Sequence, residues 1–251
     1  MNRLIARIVA RDQRLSGFRH YDVLVHVYVV VLLVSNLVGQ KLTALGPFRV
    51  SGAQALFPIT YIFSDIFTEV YGYAGSRRAI WLGFFASATM ALMGLFMVWI
   101  PAAPEWPPGH QAAFEVVFGA VPRMIAASMV AFWAGEFVNS YVLARMKVWT
   151  RGRWLWTRTI GSTVAGQAID SLLVTSVFYW GTVPLPTILA TAASGYLFKV
   201  TYEALATPVT YAIVNGLKRA EGVDVYDEGT DFNPFAREAP ASARPTAAPG
   251  S

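Results

Sequence analysis

Two carboxylates stand one helical turn apart inside an apolar stretch of this sequence. Asp65 and Glu69 lie in FPITYIFSDIFTEVYG, residues 57–72, which is otherwise apolar enough to cross a bilayer. A charged side chain at membrane depth is costly to hold, so an acid in such a place indicates a functional site. Two like charges on one helix face also need a cationic partner, a shared proton or a ligand. The pair therefore predicts a ligand site in the membrane.

Other apolar stretches also carry a strongly polar residue near their middle. At 1.5 Å per helical residue, five such residues lie about 18–21 Å from the start of their own stretches, and they are Asn36, Asp65, Glu136, Asp170 and Lys199. Further polar residues follow or precede them at helical spacing, including Gln40, Gln167 and Glu203. One polar stripe per helix is the pattern by which a bundle lines a cavity while its back faces lipid.

The charges of this mid-membrane set do not balance. One base, Lys199, accompanies five acids, and Arg123 is a second base if it reaches inward; the acids are Asp65, Glu69, Glu136, Asp170 and Glu203. The uncompensated acids must be protonated, coupled to a cation, or satisfied by a ligand rich in hydrogen-bond donors. Each of these outcomes is used by transporters.

Simpler roles are available for several of these residues. Polar side chains in membrane helices often hold helices together, at about 0.6 kcal/mol each. Lys199 and Glu203 are four residues apart and could neutralise each other within one helix. Glu69 lies nearer the cytoplasm than Asp65 and is expected to act at an inner gate or to pair with Arg77 or Arg78.

The composition indicates a membrane protein of helical segments. Hydrophobic residues make up 55% of the 251 residues and charged residues 14%, and the mean hydropathy is +0.45; soluble domains have about 25% charged residues. A span takes roughly 20 apolar residues. We predict an all-α polytopic fold with six transmembrane helices, at residues 23–43, 53–71, 79–100, 122–145, 158–180 and 186–214.

The basic residues predict the orientation of these spans. With a cytoplasmic N-terminus, the inside segments carry fourteen Lys and Arg residues and the outside loops carry two, Lys41 and Arg49. This asymmetry places both termini in the cytoplasm. The predicted parts are a basic N-terminal segment (1–22), the transmembrane domain (23–219) and a disordered cytoplasmic tail (220–251), which is acidic and then rich in Pro, Ala and Ser.

The sequence offers little for catalysis or for a metal. It has no cysteine, and its three histidines are far apart and outside any HExxH or HxH spacing. We therefore predict no enzyme activity, no metal and no cofactor. The third span holds only Ser87 and Thr89 as polar residues, and it is expected to face lipid or a partner, which makes a homodimer a reasonable expectation.

Several segments resemble one family of bacterial membrane proteins. They include SNLVGQK (35–41), DIFTEVYG (65–72) with the following Arg77 and Arg78, GQAIDS (166–171) and KVTYEALATP (199–208). The chain is similar, from about 35 to 215, to the bacterial queuosine precursor transporters, also called the vitamin uptake transporter family. The resemblance implies an inner-membrane protein that takes up 7-cyano-7-deazaguanine and 7-aminomethyl-7-deazaguanine for transfer RNA modification, without binding nucleic acid itself.

The polar stripes suit such a ligand. A deazaguanine presents an N–H and an amino group side by side, and one carboxylate can accept both. We assign substrate binding to Asn36, Gln40, Asp65, Glu136, Gln167, Asp170 and Lys199, with Asp65 or Glu136 receiving the donor edge. Coupling or gating is assigned to Glu69, Glu203 and Arg123.

The sequence fits two other classes of protein less well. A substrate-capture subunit of an energy-coupling factor vitamin transporter would also have six spans, and it would expect a small-residue docking seam on the first span. That span reads VLVHVYVVVLLVSNLVGQKL, which is bulky. An intramembrane enzyme would need a nucleophile with a base, or a metal set, and the sequence contains neither G-x-S-x-G nor HExxH.

Overall fold

A computed structural model describes residues 18–38, 42–45, 48–51, 56–118, 122–181 and 184–235. In this part of the chain, six helices and two strands follow one another: α1 (Tyr21–Val38), β1 (Leu42–Leu45), β2 (Phe48–Ser51), α2 (Phe57–Trp99), α3 (His110–Phe118), α4 (Pro122–Trp149), α5 (Leu155–Tyr179) and α6 (Leu185–Glu221). The protein is predominantly helical, as predicted.

One short hairpin was missed by the all-α prediction. Strands β1 and β2 pair antiparallel with Leu42 opposite Ser51 and Leu45 opposite Phe48. The predicted first span, 23–43, is therefore too long, because α1 ends at Val38 and residues 42 and 43 lie in β1. The sequence between the strands is Gly46 and Pro47, a pair typical of turns, and this signal was available.

The predicted loop between the second and third spans is a reversal at one residue. Gly72 has φ 77° and ψ 172° within α2, a backbone conformation open only to glycine. Ser64 and Ser76, on either side of Gly72, both place Oγ within 3.3 Å of the Oγ of Ser140. Twelve residues of straight helix would separate them by about 18 Å. The helix therefore folds back into a first leg (57–71) and a second leg (73–99).

Helix α1 packs against both legs of α2. The rings of Tyr21 and Tyr28 make edge contacts with Phe67 on the first leg, with ring centroids 5.7 and 5.6 Å apart. Asn36 donates a hydrogen bond to Ser87 on the second leg at 3.0 Å. The second leg is thus less purely lipid-facing than predicted, since Ser87 is buried.

Residues 222–235, here called the C-terminal segment, pack against the Gly72 reversal. The Asp227 carboxylate accepts hydrogen bonds from the Tyr73 N–H at 3.0 and 3.1 Å. The Tyr73 hydroxyl donates to the Phe232 carbonyl at 2.9 Å, and Val225 is buried. The prediction that the tail is disordered from residue 220 is wrong for this segment, because its composition did not reveal the aromatic and backbone contacts it makes; residues 236–251 lie outside the described residues.

The surface of the helices is apolar while their interior carries polar side chains. Large apolar side chains are exposed on each of the five long helices, for example Val30, Leu92, Val130, Leu172 and Leu205. Two helical stretches of the described chain, Tyr21–Val38 and Ile59–Trp99, are long and apolar enough to cross a membrane.

Candidate functional site

Three carboxylates from three helices converge inside the bundle. Asp65 on α2, Glu136 on α4 and Glu203 on α6 are 1%, 0% and 1% exposed. Both Glu203 and Glu136 lie close enough to Asp65 for their charges to act on it. Asn139 Nδ2 donates to Asp65 Oδ1 at 3.0 Å. We call Asp65, Glu136 and Glu203 the acid cluster.

Most oxygens of the acid cluster have no hydrogen-bond partner among the described residues. They are Oδ2 of Asp65 and both carboxylate oxygens of Glu136 and of Glu203. The Ser64 hydroxyl lies close to Glu136, and the Asp65 carboxyl lies close to Glu203, neither in good hydrogen-bond geometry. The side-chain oxygens of Asn139 and Gln167 are in the same condition, as is the Ser171 hydroxyl. Buried polar atoms are ordinarily hydrogen-bonded, so a concentration of free acceptors indicates a place built for donors that arrive with a ligand or with protons.

A close contact between glycines of α4 and α5 positions the α5 residues of this site. A Cβ atom on Gly135 would lie 2.8 Å from the Asp170 Cβ and 3.0 Å from the Gly166 carbonyl oxygen. A Cβ atom on Gly166 would lie 2.8 Å from the Asn139 Cβ and from the Gly135 carbonyl oxygen. Small residues let membrane helices approach this closely. The contact brings Gln167 and Asp170 against the helix that carries Glu136.

Lys199 is paired across helices rather than within its own. Its Nζ forms a close ion pair with Asp170 of α5. Lys199 and Glu203 do not neutralise each other within α6, because Lys199 is paired with Asp170 and no ion pair joins Lys199 to Glu203 among the described residues. Glu203 is turned instead toward Asp65.

The remaining predicted residues are placed unevenly. Asn36 binds Ser87 as described above, and Gln167 is buried beside the Tyr61 side chain. The Tyr61 ring packs against Phe132, with centroids 6.5 Å apart, so a flat aromatic surface borders the site. Gln40 lies outside the described residues, and Arg123 belongs to α4 but its side chain is outside the description.

Glu69 is held by a cluster of cations at the Gly72 end of the bundle. Arg158 binds it through two hydrogen bonds, Nε to Oε2 at 3.2 Å and Nη2 to Oε1 at 2.7 Å. Lys218 Nζ lies 2.7 Å and Lys147 Nζ 3.7 Å from Oε1. Both lysines also contact Asp224 of the C-terminal segment, at 2.9 and 2.6 Å. We call these five residues the ion-pair cluster.

The predicted pairing of Glu69 with Arg77 or Arg78 is therefore wrong for Arg77. Its guanidinium donates to the carbonyls of Asp231 and Asn233 in the C-terminal segment. Glu69 takes its partners from α4, α5 and α6, elements far away in sequence. Arg158, Lys147 and Lys218 are among the fourteen basic residues that predict the orientation of the spans. Their concentration near one face of the membrane also indicates cationic partners for an acid at that depth.

The ion-pair cluster also fixes the charge state of Asp224. Burial alone would disfavour its charged form, but the ammonium groups of Lys147 and Lys218 outweigh this and hold the pKa of the Asp224 carboxyl below its ordinary value. Lys147 is fully buried and further donates to the carbonyls of Glu69 and Val225, both at 2.6 Å. The C-terminal segment is thus tied ionically to the helices.

The chemistry available is hydrogen-bond acceptance from a donor-rich molecule. In the described parts of the chain, no group of three or more His, Asp, Glu or Cys side chains is placed to hold a metal ion. The acid cluster, the free amide oxygens and the neighbouring Tyr61 together offer acceptors and an aromatic face. That combination suits a flat, polar, heterocyclic ligand.

Comparison with known proteins places the chain among transporters. A family model described as "Putative vitamin uptake transporter" matches residues 51–213, well over half of the chain. A protein of Bacillus subtilis (strain 168) named "Probable queuosine precursor transporter" is 30% identical over 159 residues, which cover 62% of this chain and 68% of that protein. No solved structure matches the chain. Both matches are to transporters rather than enzymes, and neither supports the capture-subunit alternative.

Proposed function

Because this chain belongs to the vitamin uptake transporter family, we propose that it imports the queuosine precursors 7-cyano-7-deazaguanine and 7-aminomethyl-7-deazaguanine for transfer RNA modification. The name of the Bacillus relative supports this substrate class. The observation that carries the proposal is the set of buried, unpartnered acceptors in the acid cluster. A deazaguanine supplies the matching donors on its N–H and amino edge.

In this proposal the bundle crosses the bacterial inner membrane six times. The spans are α1, the two legs of α2, α4, α5 and α6, and their outward apolar side chains contact lipid. The start of α1 and the end of α6 lie together, because the backbone N–H groups of Arg19 and His20 both donate to the Glu221 carboxylate, at 2.8 and 2.7 Å. With the basic residues near the same end, both termini are cytoplasmic.

Substrate binding is assigned to the acid cluster and its amide neighbours. Asp65, oriented by Asn139, or Glu136 accepts the donor edge of the deazaguanine in bidentate fashion. Gln167 and the Asp170–Lys199 pair border the pocket, and Lys199 supplies a donor for the ligand carbonyl. Asn36 of α1 and Gln40, which follows it in the sequence, complete the proposed binding set.

Gating is assigned to the ion-pair cluster around Glu69. This cluster lies about 6 Å, or one helical turn, from Asp65 toward the Gly72 end, and it joins α2, α4, α5 and α6. An inward-opening movement of these helices must break or exchange its ion pairs. We assign coupling or gating to Glu203 as well, and also to Arg123, near the outer surface. A homodimer is part of the proposal as well.

Uptake in cells tests this function. We would measure accumulation of labelled deazaguanine in a bacterial strain lacking both its synthesis and its own transporter. Wild-type protein should restore uptake, and Asp65→Asn should lower it at least tenfold, since a charge-assisted hydrogen bond contributes about 1.5–3 kcal/mol. Glu115→Gln, an acid-to-amide change at an exposed position on α3, is the matched control and should retain uptake. Uptake of an unrelated vitamin without deazaguanine would overturn the substrate, and full uptake by Asp65→Asn would overturn the site.

A further inference from the structure

Two acids on one helix have opposite electrostatic surroundings. Asp65 and Glu69 are one turn apart on α2 and equally buried. Glu69 has three cations within 3.7 Å of its carboxylate. The carboxylates whose charges act on Asp65 are Glu203, Glu136 and Glu69, all of the same sign. The protein therefore compensates one of these acids with cations and leaves the other among acids.

The groups around the acid cluster offer it little positive charge. Those that face it from the packed helices are Tyr28 of α1, Tyr61 and Glu69 of α2, Asp170 of α5 and Lys199 of α6. Lys199 is the cation of this set, and it is in a close ion pair with Asp170. The two tyrosines are neutral. Three ionised carboxylates would thus stand together in a buried place without a counter-charge.

Ionising the whole acid cluster would be prohibitively unfavourable. Each unpaired buried carboxylate costs several kcal/mol of desolvation, and the like charges of Asp65, Glu136 and Glu203 add repulsion because they act on one another. Among the described residues, no group of three or more His, Cys, Asp or Glu side chains is placed to hold a metal ion. Protons need no further ligands, and each one that binds neutralises a carboxylate and turns one of its unpartnered oxygens into a donor.

We propose that the acid cluster of Asp65, Glu136 and Glu203 binds protons that are carried inward together with the substrate. This inference rests on the proposed function, because it assigns the coupling ion of the same site. With two of the three carboxyls protonated, the third remains ionised and accepts the donor edge of the deazaguanine. Glu203 is the proton carrier, because the hydrogen bond that Asp65 accepts from Asn139 favours the ionised form of Asp65, while Glu203 faces Asp65.

The transport cycle follows from this distribution of protons. On the outer side a carboxylate oxygen of Glu203 takes a proton from a hydronium ion: an O–H bond forms on the carboxyl group, one O–H bond of the hydronium ion breaks, and water is left. The repulsion on Asp65 then falls, so that the ligand can bind. On the inner side the proton leaves to water and the restored carboxylate repels the ionised one that holds the ligand. Loss of the proton thereby expels the substrate toward the cytoplasm.

Calorimetry on the purified protein tests the linkage between substrate and protons. Titrating 7-cyano-7-deazaguanine in buffers of different ionisation enthalpy should show proton uptake on binding, and the affinity should fall about tenfold per pH unit over the range in which one linked proton is lost. Glu203→Gln, which mimics the protonated acid, should bind with an affinity independent of pH. Binding without proton exchange, or a dependence on sodium instead, would overturn the inference while leaving deazaguanine transport intact.

Transport and infrared measurements separate the inference from the proposed function. In vesicles, Glu203→Gln should lose accumulation driven by a proton gradient and keep exchange of labelled for unlabelled substrate, whereas Glu115→Gln should keep both. Without any substrate, difference infrared spectra should show a protonated carboxyl band at neutral pH that Glu203→Gln reduces. Absence of that band would overturn the proton site. Its presence in a protein that does not bind deazaguanine would support the proton site and reject the proposed substrate.

Discussion

Arg158 is the side chain that most directly keeps Glu69 charged. It makes two hydrogen bonds to the carboxylate, and both residues are buried. Arg158→Gln removes this partner, and Glu69 is then paired with Lys147 and Lys218 alone. Removing one partner of a buried ion pair costs about 3–5 kcal/mol when the charge is left alone. With Lys147 and Lys218 still present, we expect a loss of about 1–3 kcal/mol, measured as a lower Tm in detergent.

The double variant separates ion pairing from packing. Glu69→Gln with Arg158→Gln removes both partners of the same interaction, so its loss of stability should be smaller than the sum of the losses in the two single variants. Arg219→Gln, at an exposed position in the last turn of α6, is the matched control and should leave Tm unchanged. If the losses of the two single variants simply added in the double variant, Arg158 would act through packing and not through Glu69.

At the scale of single residues, the sequence revealed which acids matter but not what they contact. The position of each residue along its helix distinguishes Asp65 from Glu69, which lies one turn nearer the cytoplasm. The sequence also shows more acids than bases in the spans, and in the structure most oxygens of the acid cluster have no hydrogen-bond partner among the described residues. The partners were missed because helical spacing finds only neighbours three or four residues away. Arg158 is 89 residues from Glu69 and Lys218 is 149, and only the packing of four helices brings them together.

The close approach of α4 and α5 depends on glycine at one crossing. Gly166→Ala would place a methyl group 2.8 Å from the Gly135 carbonyl oxygen and the Asn139 Cβ. Both are backbone or near-backbone atoms, so the helices must move apart, at a cost of about 1–3 kcal/mol for overpacking. We expect a lower Tm and a loss of deazaguanine binding, because the separation moves Gln167 and Asp170 away from Glu136.

A second helical glycine provides the control for this substitution. A Cβ atom on Gly216 of α6 would have no heavy atom within 4 Å. Gly216→Ala should therefore be neutral or should stabilise the helix by about 0.5–1 kcal/mol. Equal behaviour of the two variants in unfolding and binding assays would mean that the crossing tolerates a methyl group.

Asp227 acts as a cap for the second leg of α2 although it is 154 residues away from it. Its carboxylate accepts the N–H of Tyr73, at the start of that leg, where free N–H groups and the helix dipole favour a negative charge. Asp227→Ala leaves this N–H and the Thr230 hydroxyl without the acceptor, which should cost about 1–3 kcal/mol. Thermal unfolding measures the effect, and Asp231→Ala, an exposed acid in the same segment, should change Tm little.

At the scale of elements, hydropathy located the long helices and missed what joins them. Apolar runs of about 20 residues indicate helices because length and composition suffice. Hydropathy predicts a loop where the chain reverses at Gly72, because the positive φ of a single glycine does not change the hydropathy of the sequence around it. The C-terminal segment was read as disordered for a related reason, because its anchors are a few residues such as Asp227 and Phe232 that bind sites created by the folded helices.

The described part of the molecule buries many polar side chains together with its apolar core, and it exposes many large apolar side chains on the outside of the helices. The acid cluster lies within the bundle and the ion-pair cluster lies at the Gly72 end. Because the start of α1 and the end of α6 also meet at that end, the proposed topology puts the ion-pair cluster at the cytoplasmic face. Substrate from outside then reaches the acid cluster before it meets the gate.

This topology predicts which loops can be labelled from outside the cell. The chain contains no cysteine, so single cysteines can be introduced without removing any. Glu105, in the connection before α3, and Glu228, in the C-terminal segment, are both exposed and lie on opposite sides of the membrane in the proposal. With a membrane-impermeant thiol reagent, Glu105→Cys should be modified in intact spheroplasts, whereas Glu228→Cys should react only after permeabilisation. Uptake by each variant would verify that it is folded. If both positions reacted from the same side, the second leg of α2 could not cross the membrane, and the acid cluster would have no separate outer entrance and inner gate.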